Sequence, residues 1–189
     1  GASTSQAFSV SVNNTNDAPT LAIALSDQSV NEDAAFSFTV PSGSFFDVDA
    51  GDSLTYTATL SDGSALPSWL SFNTATQTFT GTPVNANVGV ITVKVTASDG
   101  SASVSDTFTL TVANTNDSPT LATAISDQSV NEDAVFNFTV PSNTFDDDDT
   151  SDTLTYTATL SDGSALPSWL SFNTATQTFT GTPVNANVG

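Results

Sequence analysis

The sequence has no cysteine, no histidine and a single basic residue, Lys94, among its 189 residues. Without cysteine, neither a disulfide framework nor a thiolate metal site is available. Without histidine or cysteine, a Ser–His–Asp or Cys–His nucleophile cannot be assembled. One lysine against 20 carboxylates leaves a formal charge of −19. That balance excludes nucleic-acid binding by phosphate neutralisation and opposes insertion into, or approach to, an anionic membrane. No apolar run reaches transmembrane length, and no basic segment followed by an apolar stretch opens the chain. A chain this acidic is expected to be soluble, secreted and accompanied by cations that relieve its self-repulsion. An export signal is expected to lie outside this stretch. Paired carboxylates can hydrolyse glycosides, but they need a cleft and one raised pKa. Here they fall at loop tips, and no enzymatic activity is expected.

What the chain does contain is a repeat. "NTNDAPTL" begins at Asn14 and "NTNDSPTL" at Asn114. From Leu54 and Leu154 onward the two copies are identical. Self-similarity at the spacing of about 100 residues marks two modules, each long enough to bury its own core. Within a module, apolar and small polar residues alternate. "AAFSFTV" (34–40), "LTYTATL" (54–60), "VITVKVTA" (90–97) and "DTFTLTV" (106–112) each put their apolar residues on one face and Ser or Thr on the other. This is the pattern of a half-buried strand. Shorter strands are predicted near Leu21–Leu25, Trp69–Phe72 and Gln77–Thr80, with turns at "SDGS" (61–64), "GTP" (81–83) and "SDGS" (98–101). No apolar stripe of helical period is present. The expected fold class is all-β: immunoglobulin-like Greek-key sandwiches of about seven short antiparallel strands, in tandem.

The repeat is cut out of phase. Residues 14–113 form one complete module with its linker. Residues 114–189 form a second, which stops at Gly189, the counterpart of Gly89, before its last two strands. Residues 1–13 include "SQAFSVSV" (5–12), which matches "SDTFTLTV" (105–112) and reads as the last strand of a preceding module. One reading is a window on a longer array. Another is strand exchange, in which this segment fills an open edge on a neighbouring chain and supplies one of the two missing strands.

Oxygen-bearing residues gather at four places in the module. The linker supplies Asn14, Asn16 and Asp17, and a turn supplies Asn31, Glu32 and Asp33. The loop "FFDVDAGD" supplies Asp47, Asp49 and Asp52, and the last hairpin supplies Asp99. Hard cations such as Ca²⁺ take about six to eight oxygens from carboxylates, amides and carbonyls. Carboxylates crowded together repel one another unless a cation lies between them. "DVDAGD" superficially matches the start of an EF-hand loop but lacks its closing Glu and its helical flanks. The linker Asn and Asp residues also suit turn capping, and Glu32 suits a solvated turn. Asp146 and Asp148, which replace Phe46 and Val48, read as added surface charge. Trp69 and Trp169, in "PSWLSF" beside Leu70 and Phe72, read as core residues in preference to a sugar-stacking platform.

These motifs resemble those of cadherins. "NTNDAP" is similar to the cadherin interdomain linker Asp-x-Asn-Asp-Asn-Pro. "DVD" resembles the Asp-x-Asp loop, "VTASDG" the Ala-x-Asp turn, and "VNEDAAF" holds Glu32 where cadherins place an early Glu ligand. "LPSWLSFNTATQTFTGTP" resembles the signature of bacterial, dystroglycan-type cadherin-like domains. These occur in tandem in large secreted adhesins of the RTX type and in some polysaccharide-acting proteins.

The resemblance implies how ligands group around Ca²⁺. At the junction 114–117 it implies Glu32 from the preceding module, Asn116 and Asp117 from the linker, and Asp147 and Asp149 from the following module. At the junction 14–17 it implies Asn16, Asp17, Asp47, Asp49 and Asp99. Glu132, the counterpart of Glu32, is a candidate ligand in its turn. Asn14 and Asn114 stand where cadherins have the first linker Asp, and the Asp-Arg-Glu motif has no match, so one or two ions per junction are expected. The implied function is a non-catalytic, calcium-stiffened extender of a repetitive bacterial surface adhesin. Its partners would be calcium ions and neighbouring repeats. A carbohydrate-binding module that docks polysaccharide, or a filament subunit joined by strand exchange, is the alternative.

Overall fold

The computed structural model describes residues 1–49, 51–149 and 152–189. The chain divides into two compact units, Gly1–Thr115 and Asn116–Gly189. No helix among the described residues is long and apolar enough to cross a membrane.

In the first unit the strands are β1 (Thr20–Leu21), β2 (Gln28–Asn31), β3 (Phe36–Thr39), β4 (Phe45–Phe46), β5 (Thr55–Leu60), β6 (Leu70–Asn73), β7 (Thr78–Gly81), β8 (Gly89–Ser98) and β9 (Ser103–Ala113). They form one sheet in the order β2-β9-β8-β5, a second in the order β3-β7-β6, and a small pair β1-β4. The alternation read from the sequence sets which face each strand buries. Val93, Val95 and Ala97 of β8 and Phe108 and Leu110 of β9 point into the core, where they join Phe36, Leu70 and Phe79 of the second sheet in one cluster, and Val112 of β9 is also buried. Phe108 carries the contact between the sheets: its ring lies 5.1 Å from Phe38 and 5.5 Å from Phe79. Tyr56 is half-buried and meets Phe45 edge-on at 6.0 Å. This is a tandem immunoglobulin-like β fold, as the strand pattern predicts.

Two details differ from the sequence expectation. The sandwich is not wholly antiparallel, because β2 pairs in parallel with β9, Gln28 opposite Leu110 and Asn31 opposite Ala113. The predicted strand at Leu21–Leu25 is reduced to Thr20–Leu21. The amides of Ala22 and Ile23 both donate to Ser44 O, at 2.7 and 3.2 Å, which ends the ladder there. Leu25 is still buried, and its N–H is taken by Asp106 Oδ2 at 2.8 Å instead of by a strand.

The second unit contains β10 (Thr120–Leu121), β11 (Phe136–Thr139), β12 (Phe145–Asp146), β13 (Leu170–Asn173) and β14 (Thr178–Gly181). It repeats the β3-β7-β6 sheet as β11-β14-β13 with the same register. Residues 154–160, identical to 54–60, form no strand here. In the first unit that segment pairs with β8 from Thr55↔Ser98 to Leu60↔Val93, and this unit contains no counterpart of β8. Residues 1–13 form no strand either, and they are exposed.

Candidate cation site

The loop that follows β4 places three carboxylates together. Asp49 N–H donates to Asp47 Oδ1 at 2.9 Å, and Asp52 N–H to Asp49 O at 3.3 Å, so the chain curls around its own acidic residues. One carboxylate oxygen from each of Asp47, Asp49 and Asp52 lies within 4.8 Å of the others. Asp49 is 7% exposed and Asp47 is half-buried, while Asp52 faces solvent. Asp47 Oδ2 is buried with no hydrogen-bond partner among the described residues.

The linker is tied to this loop. Asp17 N–H donates to Asp49 Oδ2 at 2.7 Å, and Asn14 Nδ2 donates to Asp49 Oδ1 at 3.0 Å. Asn16 reaches the other loop, donating to Asp99 Oδ2 at 3.2 Å. Asp99 Oδ1 is occupied by its own hairpin, accepting Ala102 N–H and Ser101 N–H, both at 2.6 Å. Those two amides, helped by the Asn16 side chain, hold the Asp99 carboxyl below the usual carboxylate range. Asp99 therefore braces linker to hairpin.

The second unit builds the same loop. Asp149 N–H donates to Asp147 Oδ1 at 3.0 Å, Asp152 N–H donates to Asp149 O at 2.9 Å, and Asp117 N–H donates to Asp149 Oδ2 at 2.6 Å. Oxygens of Asp147, Asp149 and Asp152 again fall within 4.8 Å of one another, with Asp149 only 2% exposed. Asn116 Nδ2 donates to Asp117 O at 2.6 Å, which shapes the linker turn. Asp146 and Asp148 are exposed, as surface charge should be.

Glu32 sits at the far end of the first unit. Its neighbour Asp33 has φ of 57°, a left-handed turn that Asp tolerates better than most residues. Asp33 N–H is held by Pro83 O at 2.7 Å and Glu32 N–H by Ala113 O at 3.0 Å. Glu32 is thereby only 3% exposed, its Oε1 accepting Thr115 N–H at 2.8 Å and its Oε2 buried without a hydrogen-bond partner among the described residues. Glu132 is exposed.

The sequence expectation grouped Asp47 with Asp49 and Asp147 with Asp149, and the loop brings an oxygen of each pair within 4.8 Å. It left Asp52 and Asp152 outside the proposed sets and gave Asn14 no contact. It also passed over two carboxylates that secure the strands: Asp106, which holds Leu25, and Asp27, whose Oδ1 accepts Thr109 N–H at 2.7 Å. No local signal marks such residues, since their partners lie far off in sequence. Trp69 is half-buried against the core, and a Cβ on Gly81 would stand 2.1 Å from its carbonyl oxygen and 3.0 Å from its ring.

The family model described as "Putative Ig domain" (He_PIG) matches residues 18–113 and, again, residues 118–189. The chain belongs to this family. Its two Ig repeats are adjacent copies, one on each side of the second Asn-Thr-Asn-Asp linker. Among solved structures, the chain is similar to an endo-fucoidan hydrolase from glycoside hydrolase family 107, at 19% identity over 90% of this chain and 25% of that one, with a TM-score of 0.45. It is similar to a SusE-like surface-located polysaccharide-binding protein from the Bacteroides thetaiotaomicron heparin utilisation locus, at 18% identity over 51% and 15% of the two chains, with a TM-score of 0.37. It is similar also to a chimeric titin Z1Z2, at 20% identity over 53% and 99%, with a TM-score of 0.36. The chain thus spans 25% of the length of the hydrolase. No curated protein matches it.

Proposed function

We propose that the two Ig repeats are calcium-stiffened extender modules of a long, repetitive bacterial surface adhesin. The observation that carries this reading is the loop built twice: Asp47, Asp49 and Asp52 in one repeat, Asp147, Asp149 and Asp152 in the other, each gathered within 4.8 Å. Each loop is tied to a linker amide. The donor set is all oxygen, with no nitrogen or sulfur ligand to favour a transition metal, and that chemistry suits Ca²⁺. The buried Asp47 Oδ2, which has no hydrogen-bond partner among the described residues, fits a cation ligand, because a carboxylate oxygen hidden from water needs a compensating charge. Asn16, Asp17, Asp47, Asp49 and Asp99 would serve the first linker, with Asp52 added. Asn116, Asp117, Asp147, Asp149 and Asp152 would serve the second, and there the cadherin resemblance adds Glu32.

In this reading, the bound ion neutralises the loop and removes a freedom of the linker beside it. Extracellular modules bind calcium with dissociation constants on the order of 10⁻⁴–10⁻³ M, which suits a cell-surface location. The protein does no chemistry on a substrate; it holds a distant binding domain away from the cell. The half-buried Trp69, wedged against Gly81, supports this over a polysaccharide-docking module, for which the indole face should stand free. Small-angle scattering with and without calcium tests the reading on the whole chain. The spread of maximum dimensions should narrow in millimolar CaCl₂, and Glu32→Ala should reduce that narrowing while both repeats stay folded. Equal distributions in EDTA and calcium would refute it.

A further inference from the structure

In the first repeat the chain enters at one end of β9 and leaves at the other. The entering linker is bonded through Asn16 to Asp99, in the hairpin that leads into β9. The chain runs on from the last residue of β9, Ala113, into the next Asn-Thr-Asn-Asp linker. Between linker and core stands first β1, whose ladder to β4 covers only two residues. Behind it lies β2, paired in parallel with β9 from Gln28↔Leu110 to Asn31↔Ala113.

Side chains lengthen that pairing in the direction of the linker. Asp27 stands one step ahead of Gln28, and its Oδ1 accepts the N–H of Thr109 at 2.7 Å. Asp106 reaches the other way, its Oδ2 accepting the N–H of the buried Leu25 at 2.8 Å. At the far end Glu32 N–H donates to Ala113 O at 3.0 Å. The four-residue ladder of β2 thus becomes a bonded seam from Leu25 to Glu32.

We infer that β2 and β9, with Asp27 and Asp106 as crossed locks, form a clamp that resists tension along the chain. A pull on the chain draws β2 by its first residue and β9 by its last. In a parallel pair those residues lie at opposite ends, so the pull slides one strand along the other and loads every bond of the seam at once. In an antiparallel pair they would lie at the same end, and the bonds would open one by one. Folding stability alone gives no reason for the parallel choice, since parallel pairing is slightly the weaker per residue. The two locks differ in weight. The Asp106 bond is partly shielded from water, while that of Asp27 is exposed. A module that holds a distant domain away from the cell is pulled whenever that domain is held. The inference therefore deepens the extender reading and rests on it for the source of the pull.

Single-molecule pulling on the full chain tests the clamp. It is done in EDTA, so its outcome is independent of the calcium reading, which the scattering experiment decides. The chain has no cysteine, so handles can be fixed at introduced ones. With Gly1→Cys and Gly189→Cys, β2 and β9 are loaded in shear. Unfolding of residues 20–113 then releases about 30 nm, at roughly 3.3–3.6 Å per residue. With Ala34→Cys and Gly189→Cys, the handle sits in the exposed turn after β2. The same seam is then opened from the end where Asn31 meets Ala113. The first geometry should need the higher force. In it, Asp106→Ala should raise the unfolding rate at fixed force roughly tenfold, and Asp27→Ala should raise it less. Neither should alter the force in the second geometry, where the opposite end of the seam yields first. Asp106→Asn keeps an oxygen acceptor and should retain most of the parent's resistance. Equal forces in the two geometries overturn the inference, and so does an Asp106→Ala chain weakened equally in both.

Discussion

Asp17 and Asp49 are joined by a 2.7 Å hydrogen bond from the linker amide to a loop carboxylate, and Asp117 and Asp149 repeat it at 2.6 Å. The bond uses one lone pair of an almost fully buried carboxylate, and the neighbouring Asp47 Oδ2 has no donor among the described residues. In each repeat one buried carboxylate thus belongs to the acidic loop and holds a linker amide at the same time.

Calcium is expected to raise the melting temperature. At tenfold excess over its dissociation constant, each site adds about 1.4 kcal/mol. Asp47→Asn keeps the size of the side chain but removes its charge, so it should lower the calcium increment while changing the melting point in EDTA little. Calorimetry in EDTA and in millimolar CaCl₂ provides the comparison. Equal increments for the parent and for the variant with both Asp47 and Asp147 changed would remove these loops from the calcium account.

Gly81→Ala is expected to destabilise the first repeat. The new Cβ would meet the Trp69 carbonyl oxygen at 2.1 Å, and backbone cannot swing aside as a flexible side chain can. Overpacking of this kind costs about 1–3 kcal/mol. Gly181→Ala should do the same in the second repeat, where the distance is again 2.1 Å. Urea denaturation reads the loss, and an unchanged midpoint would mean that the strand pair can separate freely at this crossing.

The two repeats are expected to unfold separately. Counterparts of Ile91, Val93, Val95, Phe108, Leu110 and Val112 are not present in the second unit, and each large apolar side chain contributes about 1.5–3 kcal/mol when buried. Their joint loss is comparable to the stability of a whole domain. Trp169→Phe leaves Trp69 to report on the first repeat, and Trp69→Phe leaves Trp169 to report on the second. The Trp169 signal should change at lower urea by more than about 1 M. Coincident transitions would show that the second sheet is self-sufficient or that the units unfold as one.

Asp99 should contribute to stability on the alkaline side of its titration. Its folded-state pKa is lowered, first by Ala102 N–H and then by Ser101 N–H. The contribution is therefore complete above the unfolded carboxylate value and is lost as pH falls through the lower folded value. A carboxyl-carbon NMR titration should place its midpoint below that of an unstructured Asp, and Asn16→Ala should move it part of the way back. A midpoint at the unstructured value would mean that the hairpin bonds do not persist in solution.

The alternation of Phe36 with Phe38, and of Val93 with Val95, is a local property of the chain, and it was enough to place the strands and their buried faces. The acidic loop was legible for the same reason, since Asp47 and Asp49 lie two residues apart and share one turn. Local sequence does not name a strand's partner. Residues 54–60 and 154–160 are identical, yet only the first forms a strand, because β8 lies along it. Glu32 is buried under the end of β9 while Glu132, in the same local sequence, is exposed. The parallel pairing of β2 with β9, the hold of Asp106 on Leu25 and the close approach of Gly81 to Trp69 join segments far apart along the chain. Strand hydrogen bonds and core contacts are made between segments, so a segment's sequence sets its propensity and its faces, and only the assembled fold decides what completes it.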